Sequence, residues 1–205
     1  MSGYSILSLS DIVSEMGEGF CREILSTFSC PYNRDVEKFL TKRSAIDFSV
    51  QRISKTFLVY ASYKKANVLC GYFTIANKYI LVPRKALSKS YAKKLSKFSV
   101  DTSGSGAFVV PSPLIAQLGK NYTSGYNKLI TGDELLKLAR DKISEAQKIV
   151  GGKTVYVECE DVDFLTNFYS ENGFVVIGKR KLDKDEQDDM KGTELIQMLY
   201  YFKNT

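Results

Sequence analysis

The sequence contains no histidine among its 205 residues. This absence excludes the Ser-His and Cys-His schemes of nucleophilic catalysis and removes the commonest zinc ligand. Acid–base chemistry in this chain must therefore use carboxylates, tyrosine, lysine, a thiol or water. We expect no metal site.

Long hydrophobic runs and closely spaced cysteine pairs are also missing. The longest apolar stretches are far shorter than the ~20 residues that a membrane-spanning helix needs. The N-terminus lacks the basic start and apolar core of a secretory signal. The four cysteines form no C-x-x-C pair. We therefore expect reduced, buried thiols in a cytoplasmic protein that has no membrane partner.

What the chain does have is an excess of positive charge, with a net charge of +6 and a pI of about 9.0. Such a balance favours an anionic partner, such as a phosphate-rich cofactor or nucleic acid. Many simple soluble proteins are equally basic, so the net charge alone does not identify the partner.

The positive charge is concentrated in residues 84–98, which contain no acidic residue. Apolar residues recur there at about helical spacing, which predicts a short amphipathic helix with a basic outer face. This face is open to three interpretations: a solvated surface helix, a contact with a nucleic-acid backbone, or a membrane-surface contact. The candidate nucleic-acid contacts are Lys89, Lys93 and Lys94.

The pattern along the chain predicts one α/β domain over residues 1–205, with a basic insertion at about 84–106. Helical spacing over residues 1–30 and again after Asn33 predicts two helices, with Asn33 as an N-cap. Thr56–Tyr60 and Val68–Ile75 are rich in β-branched and aromatic residues and predict an antiparallel hairpin. A terminal antiparallel pair is predicted from Phe174–Ile177 and Glu194–Phe202.

The central stretch of the chain, Pro113–Phe174, contains in this order a strand near Leu114, a loop with Gly125 and Gly132, a long helix, a second strand and a last helix. Gly151 and Gly152 are expected to stop the long helix. A Gly-containing loop before a helix offers free backbone N–H groups and a positive dipole end, which suits phosphate. An ordinary turn is the competing interpretation of a single glycine at this place.

The last helix carries Phe168-Tyr169-Ser170-Glu171-Asn172-Gly173-Phe174, which resembles the F-Y-x-x-x-G-F motif near the end of the GNAT (Gcn5-related) N-acetyltransferases. Val68–Ala76 resembles the family's V-x-G-Y-x-x-L-A strand. Two further segments resemble one subgroup, the acetyltransferase toxins of toxin–antitoxin pairs, which acetylate aminoacyl-tRNA. These segments are Ala116–Lys120 and Lys55–Val59. The chain is also similar to acetyltransferase-like proteins of phages and mobile elements.

The resemblance implies an α/β GNAT fold: a central twisted mixed sheet with splayed strands 4 and 5 and helices on both faces. In this sequence those strands are Leu114–Lys120 and Thr154–Glu160, and acetyl-CoA is expected to lie in the splay. The backbone of Leu118, Gly119 and Lys120 is expected to pair with the pantetheine arm.

The phosphate loop departs from the family pattern Q/R-x-x-G-x-G/A. The matching positions are Asn127-Lys128-Leu129-Ile130-Thr131-Gly132, in which only the final glycine is kept. Such a departure is compatible with weaker binding of CoA, a rearranged loop or a lost activity. The remaining candidates for phosphate are the Lys128 side chain and the backbone N–H groups of Thr131, Gly132, Asp133 and Glu134.

The same resemblance implies a catalytic role for Tyr169, which matches the tyrosine that protonates the leaving CoA thiolate. A phenol suits this role because its pKa approaches or exceeds that of the thiol. The alternative is a buried tyrosine bonded to the backbone. Glu158 and Glu160 share one strand face and are candidates for the base that deprotonates the amine. The alternative for them is a solvated strand end.

The sequence thus predicts an acetyl-CoA-dependent N-acetyltransferase that acts on a primary amine, with aminoacyl-tRNA as the first acceptor hypothesis. A protein or small-molecule amine is the second acceptor hypothesis. A catalytically silent GNAT fold used for binding in a mobile element is the alternative from another class. By analogy with the family, the expected partners include tRNA, an antitoxin and a second copy of the chain.

Overall fold

The computed structural model describes residues 3–42, 44–102, 104, 106–184, 186 and 192–203. The chain forms two compact units. The first unit comprises Met1–Ala76 and Ala116–Ala139, and the second comprises Asn77–Ile115 and Arg140–Thr205. The single domain expected from the sequence stays a prediction.

The described residues form helices and strands in a mixed α/β order. The α-helices are α1 (Leu9–Ser26), α2 (Arg34–Thr41), α3 (Ser44–Val50), α4 (Lys89–Leu95), α5 (Gly132–Val150) and α6 (Asp163–Glu171). The strands are β1 (Ser5–Ser8), β2 (Ser54–Tyr63), β3 (Ala66–Ala76), β4 (Tyr79–Pro83), β5 (Val100–Thr102), β6 (Ala107–Pro111), β7 (Leu114–Lys120), β8 (Thr154–Glu160), β9 (Val175–Lys181) and β10 (Glu194–Tyr201). Short 3-10 helices cover Arg84–Ala86 and Thr123–Leu129.

The sheet of the first unit has the strand order β1-β2-β3-β7. The predicted hairpin is confirmed, because β2 and β3 pair antiparallel from Ser54 opposite Ala76 to Tyr63 opposite Ala66. Its turn places Lys64 and Lys65 at positive φ. Strand β1 was not predicted: it pairs antiparallel with β2 over four residues, too few for a period-two pattern to show.

Helices α1, α2 and α3 pack on this sheet through one apolar core. The predicted cap of α2 is confirmed, because the Asn33 side chain accepts a hydrogen bond from the Val36 N–H at 3.0 Å. Helix α1 is interrupted at Gly17, whose φ of 82° and ψ of 162° are not helical. The buried residues of this core are Leu9, Cys21, Leu25, Phe28, Cys30, Val36, Leu40, Ala45, Ile46, Leu58, Leu69 and Tyr72.

The second unit contains a three-stranded sheet of order β4-β6-β5 and the antiparallel strands β8, β10 and β9, with β10 in the middle. The predicted terminal pair is confirmed by β9 and β10. The start of β7 belongs to this unit, where Leu114 pairs in parallel with Tyr156 of β8. A core joins these elements, and its buried residues are Ile80, Val82, Leu95, Phe108, Val110, Tyr156, Ile177 and Leu199.

The basic segment differs from its prediction. A single helix was expected over 84–98, whereas a 3-10 turn at Arg84–Ala86 precedes a shorter helix, α4. Ser88 separates them, because its side chain accepts a hydrogen bond from the Tyr91 N–H and caps α4. Within the predicted basic insertion, Asp101 and Thr102 end β5, and Ser103 and Ser105 lie outside the described residues.

The long helix of the central stretch follows the prediction. Helix α5 runs from Gly132 to Val150, and Gly151 and Gly152 follow it at φ values of 83° and 107°. These left-handed values favour glycine and stop the helix. Within the described part of the chain, no helix has both the length and the apolar composition that crossing a membrane requires.

Candidate functional site

Strand β7 carries the backbone that the sequence assigned to the pantetheine arm. Leu118 and Lys120 are half-buried and Gly119 is buried. A Cβ added at Gly119 would lie 2.4 Å from Val36 Cγ1 and 3.3 Å from the Tyr72 ring. Glycine at this position therefore allows α2 and Tyr72 to pack directly on β7.

Polar contacts also join the first turn of α2 to the sheet. The Tyr72 hydroxyl donates a hydrogen bond to the Val36 carbonyl oxygen at 2.6 Å, and the Gln117 amide donates one to the Asp35 carboxylate at 2.7 Å. Tyr72 is fully buried, and burial raises its pKa well above the ordinary value. The phenol therefore stays protonated and keeps its hydrogen bond.

Asn121 follows β7 directly, and sequence reasoning missed it. It is buried, its side-chain amide donates to the Leu69 carbonyl at 2.9 Å, and its backbone N–H donates to the Cys70 carbonyl at 2.9 Å. Its side-chain oxygen accepts from the backbone N–H groups of Ser29 and Thr123, each at 3.1 Å. The signal in the sequence was an asparagine between a predicted strand and a Gly-containing loop. Asn121 thus ties three segments of the first unit together where β7 ends.

The loop from β7 to α5 folds as the 3-10 helix Thr123–Leu129. It is broken at Ser124 and Gly125, whose φ values are 52° and 76°. Lys128 is exposed, and the Leu129 carbonyl accepts a hydrogen bond from the Tyr4 hydroxyl at 3.0 Å. The N-terminal segment therefore fixes the end of this loop just before α5 begins.

The first turn of α5 forms a reciprocal capping box between Thr131 and Glu134. The Glu134 carboxylate accepts from the Thr131 N–H at 2.8 Å and from the Thr131 hydroxyl at 3.0 Å. The Glu134 N–H donates to the Thr131 hydroxyl at 3.1 Å. The hydrogen bond from the Thr131 backbone lowers the pKa of Glu134. Two of the four N–H groups assigned to phosphate are therefore engaged by side chains, and a carboxylate lies at the helix end.

Tyr169 lies on α6 in the second unit and is buried, with 8% of its surface exposed. Its ring contacts Phe168 and Phe174 at centroid distances of 5.0 and 5.6 Å. The chain leaves α6 at Gly173, which has a φ of 84°. Burial raises the pKa of Tyr169 above its ordinary value. Within the described ranges its hydroxyl has no hydrogen-bond partner, unlike that of Tyr72.

Glu158 and Glu160 lie on β8 and differ in their surroundings. The Glu158 carboxylate accepts from Arg180 at 2.6 Å and from the Gln197 amide at 2.8 Å, and its side chain is 11% exposed. Arg180 also binds Glu186, at 2.6 and 2.7 Å. Glu160 is half-buried at the end of β8, opposite Leu195 of β10.

This ion-pair network was not foreseen, because its partners come from distant parts of the sequence. Hydrogen bonds from Arg180 lower the pKa of Glu186 and those same contacts raise the pKa of Arg180. The network favours a structural role for Glu158 in the described state. Whether either glutamate serves as the base stays a prediction.

The candidate nucleic-acid contacts Lys89, Lys93 and Lys94 are exposed on α4, whose buried anchor is Leu95. The Lys94 ammonium lies 5.6 Å from the centroid of the Tyr201 ring. All three lysines thus share one short element whose apolar side is fixed in the core of the second unit.

Arg84, in the same basic segment, is held differently. Its guanidinium lies over the Phe108 ring, 4.6 Å from the centroid, and pairs with Asp101. The absence of acids within residues 84–98 did not reveal this pair, because Asp101 comes from β5.

The order of elements is that of a mixed α/β fold, and comparison with solved structures finds the same fold in known proteins. The chain is similar to AtaT complexed with acetyl-methionyl-tRNAfMet, with a TM-score of 0.61, 18% identity, and coverage of 95% of this chain and 94% of that chain. It is similar to a Tyr-to-Phe mutant of KacT, with a TM-score of 0.59, 18% identity and the same coverages.

A third similar structure is a Tyr-to-Phe mutant of the AtaT toxin bound to acetyl-CoA and the C-terminus of the antitoxin AtaR. Its TM-score is 0.58 at 13% identity, and the match covers 97% of this chain and 92% of that chain. No family model and no curated protein sequence matches this chain. The predicted fold resemblance to the GNAT toxins is confirmed by these structures.

Proposed function

We propose that this protein is an acetyl-CoA-dependent N-acetyltransferase that transfers acetyl to a primary amine, with aminoacyl-tRNA as the acceptor. The observation that carries the proposal is the likeness to AtaT complexed with acetyl-methionyl-tRNAfMet, which extends over 95% of this chain. The likeness to AtaT bound to acetyl-CoA and an antitoxin supports acetyl-CoA as the cosubstrate and an antitoxin as a partner.

In this proposal acetyl-CoA supplies the acetyl group as a thioester. The backbone of Leu118, Gly119 and Lys120 pairs with the pantetheine arm. The phosphates are held by Lys128 and the N–H groups at the start of α5, from Thr131 to Glu134. A helix N-terminus with a basic side chain nearby suits a pyrophosphate. The Glu134 carboxylate opposes it, so binding requires the capping box to open or the phosphates to contact Gly132 and Asp133.

Tyr169, in the second unit, acts as the general acid in this proposal. The amine nitrogen forms a bond to the carbonyl carbon, the carbon–sulfur bond breaks, and Tyr169 donates its phenolic proton to the departing thiolate. A phenol with an ordinary pKa is already protonated at neutral pH, so the raised pKa of Tyr169 is not needed for this role, and water returns a proton to the tyrosinate after the thiol has formed. The amine proton passes to water or to Glu160. An α-amino group ionises near pH 8, so the acceptor needs little help from a protein base.

Transfer of labelled acetyl from acetyl-CoA to a pool of charged tRNAs tests the proposal. We expect label to appear on aminoacyl-tRNA, and to disappear after the aminoacyl ester is hydrolysed at alkaline pH. A protein that binds acetyl-CoA but labels no charged tRNA at saturating concentration would exclude this acceptor. Labelling of free amines in the same assay would then favour a protein or small-molecule acceptor.

Charge reversal on α4 tests whether the reaction depends on RNA. We expect the triple Lys→Glu variant at Lys89, Lys93 and Lys94 to lose transfer to tRNA while its affinity for acetyl-CoA is unchanged. The charge-matched control carries Lys→Glu at exposed lysines elsewhere: Lys42, Lys148 and Lys203. Equal loss in both variants would show a general effect of net charge and would count against a tRNA contact on α4.

The capping box favours a second candidate function, a GNAT fold that binds a partner without catalysis. Thr131 and Glu134 already use two of the N–H groups on which phosphate binding depends. Calorimetric titration with acetyl-CoA distinguishes the two functions. Micromolar binding supports the transferase, and absence of binding at millimolar donor supports the silent fold.

A toxin with this activity should arrest growth when it is produced. We expect induction of the wild-type chain to stop growth and induction of Tyr169→Phe to be tolerated at equal protein levels. Light scattering on the purified chain will show whether it forms the dimer expected from the family.

A further inference from the structure

A cavity of about 440 Å³ opens in the first unit, and none of the residues assigned to acetyl transfer lines it. Its volume falls within the range of small-molecule sites, roughly 300–1,000 Å³. Helix α1, the β2–β3 hairpin and the loop after β7 form its walls. All of these elements belong to the first unit.

The walls of this cavity are rich in aromatic rings. Phe20 of α1, Tyr60 of β2 and Tyr126 of the 3-10 helix Thr123–Leu129 line it. Phe20 is 41% exposed, so its ring is not used by the core. The rings of Tyr63 and Tyr126 form an edge contact, with centroids 6.0 Å apart. Three aromatic side chains therefore line the cavity, and that of Phe20 is substantially exposed.

Glu23 is the one charged residue that lines the cavity in the described part of the chain. It lies three positions after Phe20 on α1, so both side chains lie on the same side of the helix. Glu18, on the same helix, pairs with Arg22 at 2.9 Å, whereas Glu23 has no ion-pair partner among the described residues. In a chain of net charge +6, this cavity is a local negative site.

We propose that this cavity binds a small organic ammonium ion. A cation placed against aromatic faces is attracted by the ring quadrupoles, and a carboxylate beside it supplies the countercharge. Ile24 and Leu69 provide an apolar floor for the carbon skeleton, and Asn67 and Thr27 provide a polar rim. Asn121, which also lines the cavity, has its side chain engaged by Leu69, Ser29 and Thr123. Binding needs no acetyl donor, so this inference is independent of the proposed function.

The ammonium ion has two possible sources, an amine that the protein acetylates or an effector that it only binds. Phenethylamine serves as the probe, because it combines a primary ammonium group with a flat apolar skeleton. Its uncharged counterpart 2-phenylethanol has nearly the same shape. We expect saturable binding of phenethylamine in a calorimetric titration, and binding of the alcohol at least about tenfold weaker.

Two variants and one control test the residues. We expect Glu23→Gln to weaken the binding of phenethylamine about tenfold. We expect Phe20→Leu, which keeps apolar volume but removes the ring, to weaken it about two- to fivefold. Glu18→Gln makes the same chemical change on the same helix outside the cavity, and should leave the affinity unchanged. Thermal melts confirm that all three variants are folded.

Three results would overturn the proposal: no saturable binding at millimolar probe, equal affinity for amine and alcohol, or equal effects of Glu23→Gln and Glu18→Gln. Addition of labelled acetyl-CoA then separates the two sources. Acetylation of phenethylamine that Glu23→Gln weakens in parallel with binding identifies the bound amine as a substrate, and binding without acetylation identifies it as an effector. Tyr169→Phe should abolish acetylation and leave binding intact, so a failure of acetyl transfer is distinguishable from a failure of this proposal.

Discussion

The start of α5 in the first unit and Tyr169 in the second unit are both assigned to acetyl transfer, but they differ in whether their polar groups form hydrogen bonds within the protein. At the start of α5, Thr131 and Glu134 satisfy each other's donors and acceptors near the surface. At Tyr169, aromatic rings surround a phenol whose hydroxyl lacks a hydrogen-bond partner in the described residues. The start of α5 is thus capped by its own side chains, whereas the Tyr169 hydroxyl has no such contact among the described residues.

This difference follows from how each region accommodates its polar groups when no ligand is bound. An uncapped helix end leaves N–H groups unsatisfied, and a capping box is a local solution that needs no ligand. A buried phenol needs no ligand to stay neutral, because burial raises its pKa further above neutral pH. The two regions therefore make separate predictions, one on donor affinity and one on the chemical step.

The largest expected effect is on the chemical step. We expect Tyr169→Phe to lower the rate of acetyl transfer at least about 100-fold, because a general acid typically contributes a factor of that size or more. Affinity for acetyl-CoA and thermal stability should change little, since the ring packing is kept. Tyr200→Phe is the matched control, because Tyr200 packs on Phe174 in the same aromatic cluster. Single-turnover rates with both variants make the measurement, and equal rates would remove Tyr169 from the mechanism.

The next effect concerns the packing of β7 in the first unit. We expect Gly119→Ala to lower the free energy of unfolding by about 1–3 kcal/mol, because the added methyl group collides with Val36. Gly19→Ala is the control, since a Cβ at Gly19 in α1 meets nothing within 4 Å. That variant should be neutral or more stable by about 0.5–1 kcal/mol. Denaturant titrations measure both, and an unchanged midpoint for Gly119→Ala would contradict the close approach of α2.

A smaller effect is expected at the capping box. Glu134→Gln keeps a hydrogen-bond acceptor at the start of α5 but removes the negative charge that opposes phosphate. We expect affinity for acetyl-CoA to rise about two- to fivefold, in line with the value of one charge at a helix terminus. Glu145→Gln, later on the same helix, is the control. Weaker binding in Glu134→Gln would show that the carboxylate supports the donor site rather than opposing it.

The smallest expected effect is on how the stability of the folded chain depends on pH. The folded-state pKa of Glu134 is lowered by its bond to the Thr131 backbone, so its contribution is lost as pH falls below the usual glutamate range. Burial raises the pKa of Tyr156 to about 12 and that of Cys159 to about 11. The unfolded chain loses these protons first, so stability should decline as pH rises above about 9.

Melting temperatures across pH test this pattern. Glu134→Gln should reduce the loss of stability on the acid side because it removes the titrating carboxyl, and Cys159→Ser should reduce the decline on the alkaline side because it removes the titrating thiol. A Glu134→Gln variant that changes the alkaline side alone would contradict this assignment.

Local patterns in the sequence predicted those features that neighbouring residues can form by themselves. The cap at Asn33, the β2–β3 hairpin and the stop at Gly151 depend on contacts within a few residues. The sequence Thr131-x-x-Glu134 is likewise a local capping signal. The resemblance to the GNAT proteins assigns the same stretch to phosphate through Gly132 and does not reveal the side chains that engage its N–H groups.

Contacts between distant segments escaped prediction. Arg180 joins Glu158 of β8 to Glu186, Asp101 of β5 pairs with Arg84, and Asn121 joins residues more than 50 positions away in the chain. None of these pairs has a fixed spacing, so no periodicity or motif reports them. The cavity lined by Phe20, Glu23, Tyr60 and Tyr126 belongs to the same class.

The sequence by itself determined the order of elements, the motif that carries Tyr169 and the absence of histidine chemistry. These depend on residue type and short-range spacing, which are read directly from the sequence. Only the tertiary structure decided which carboxylates accept hydrogen bonds from other side chains and which tyrosine hydroxyl lacks a partner among the described residues. It also decided where a cavity lined by aromatic residues opens. Those properties depend on burial and on long-range hydrogen bonds, which arise when distant segments pack together.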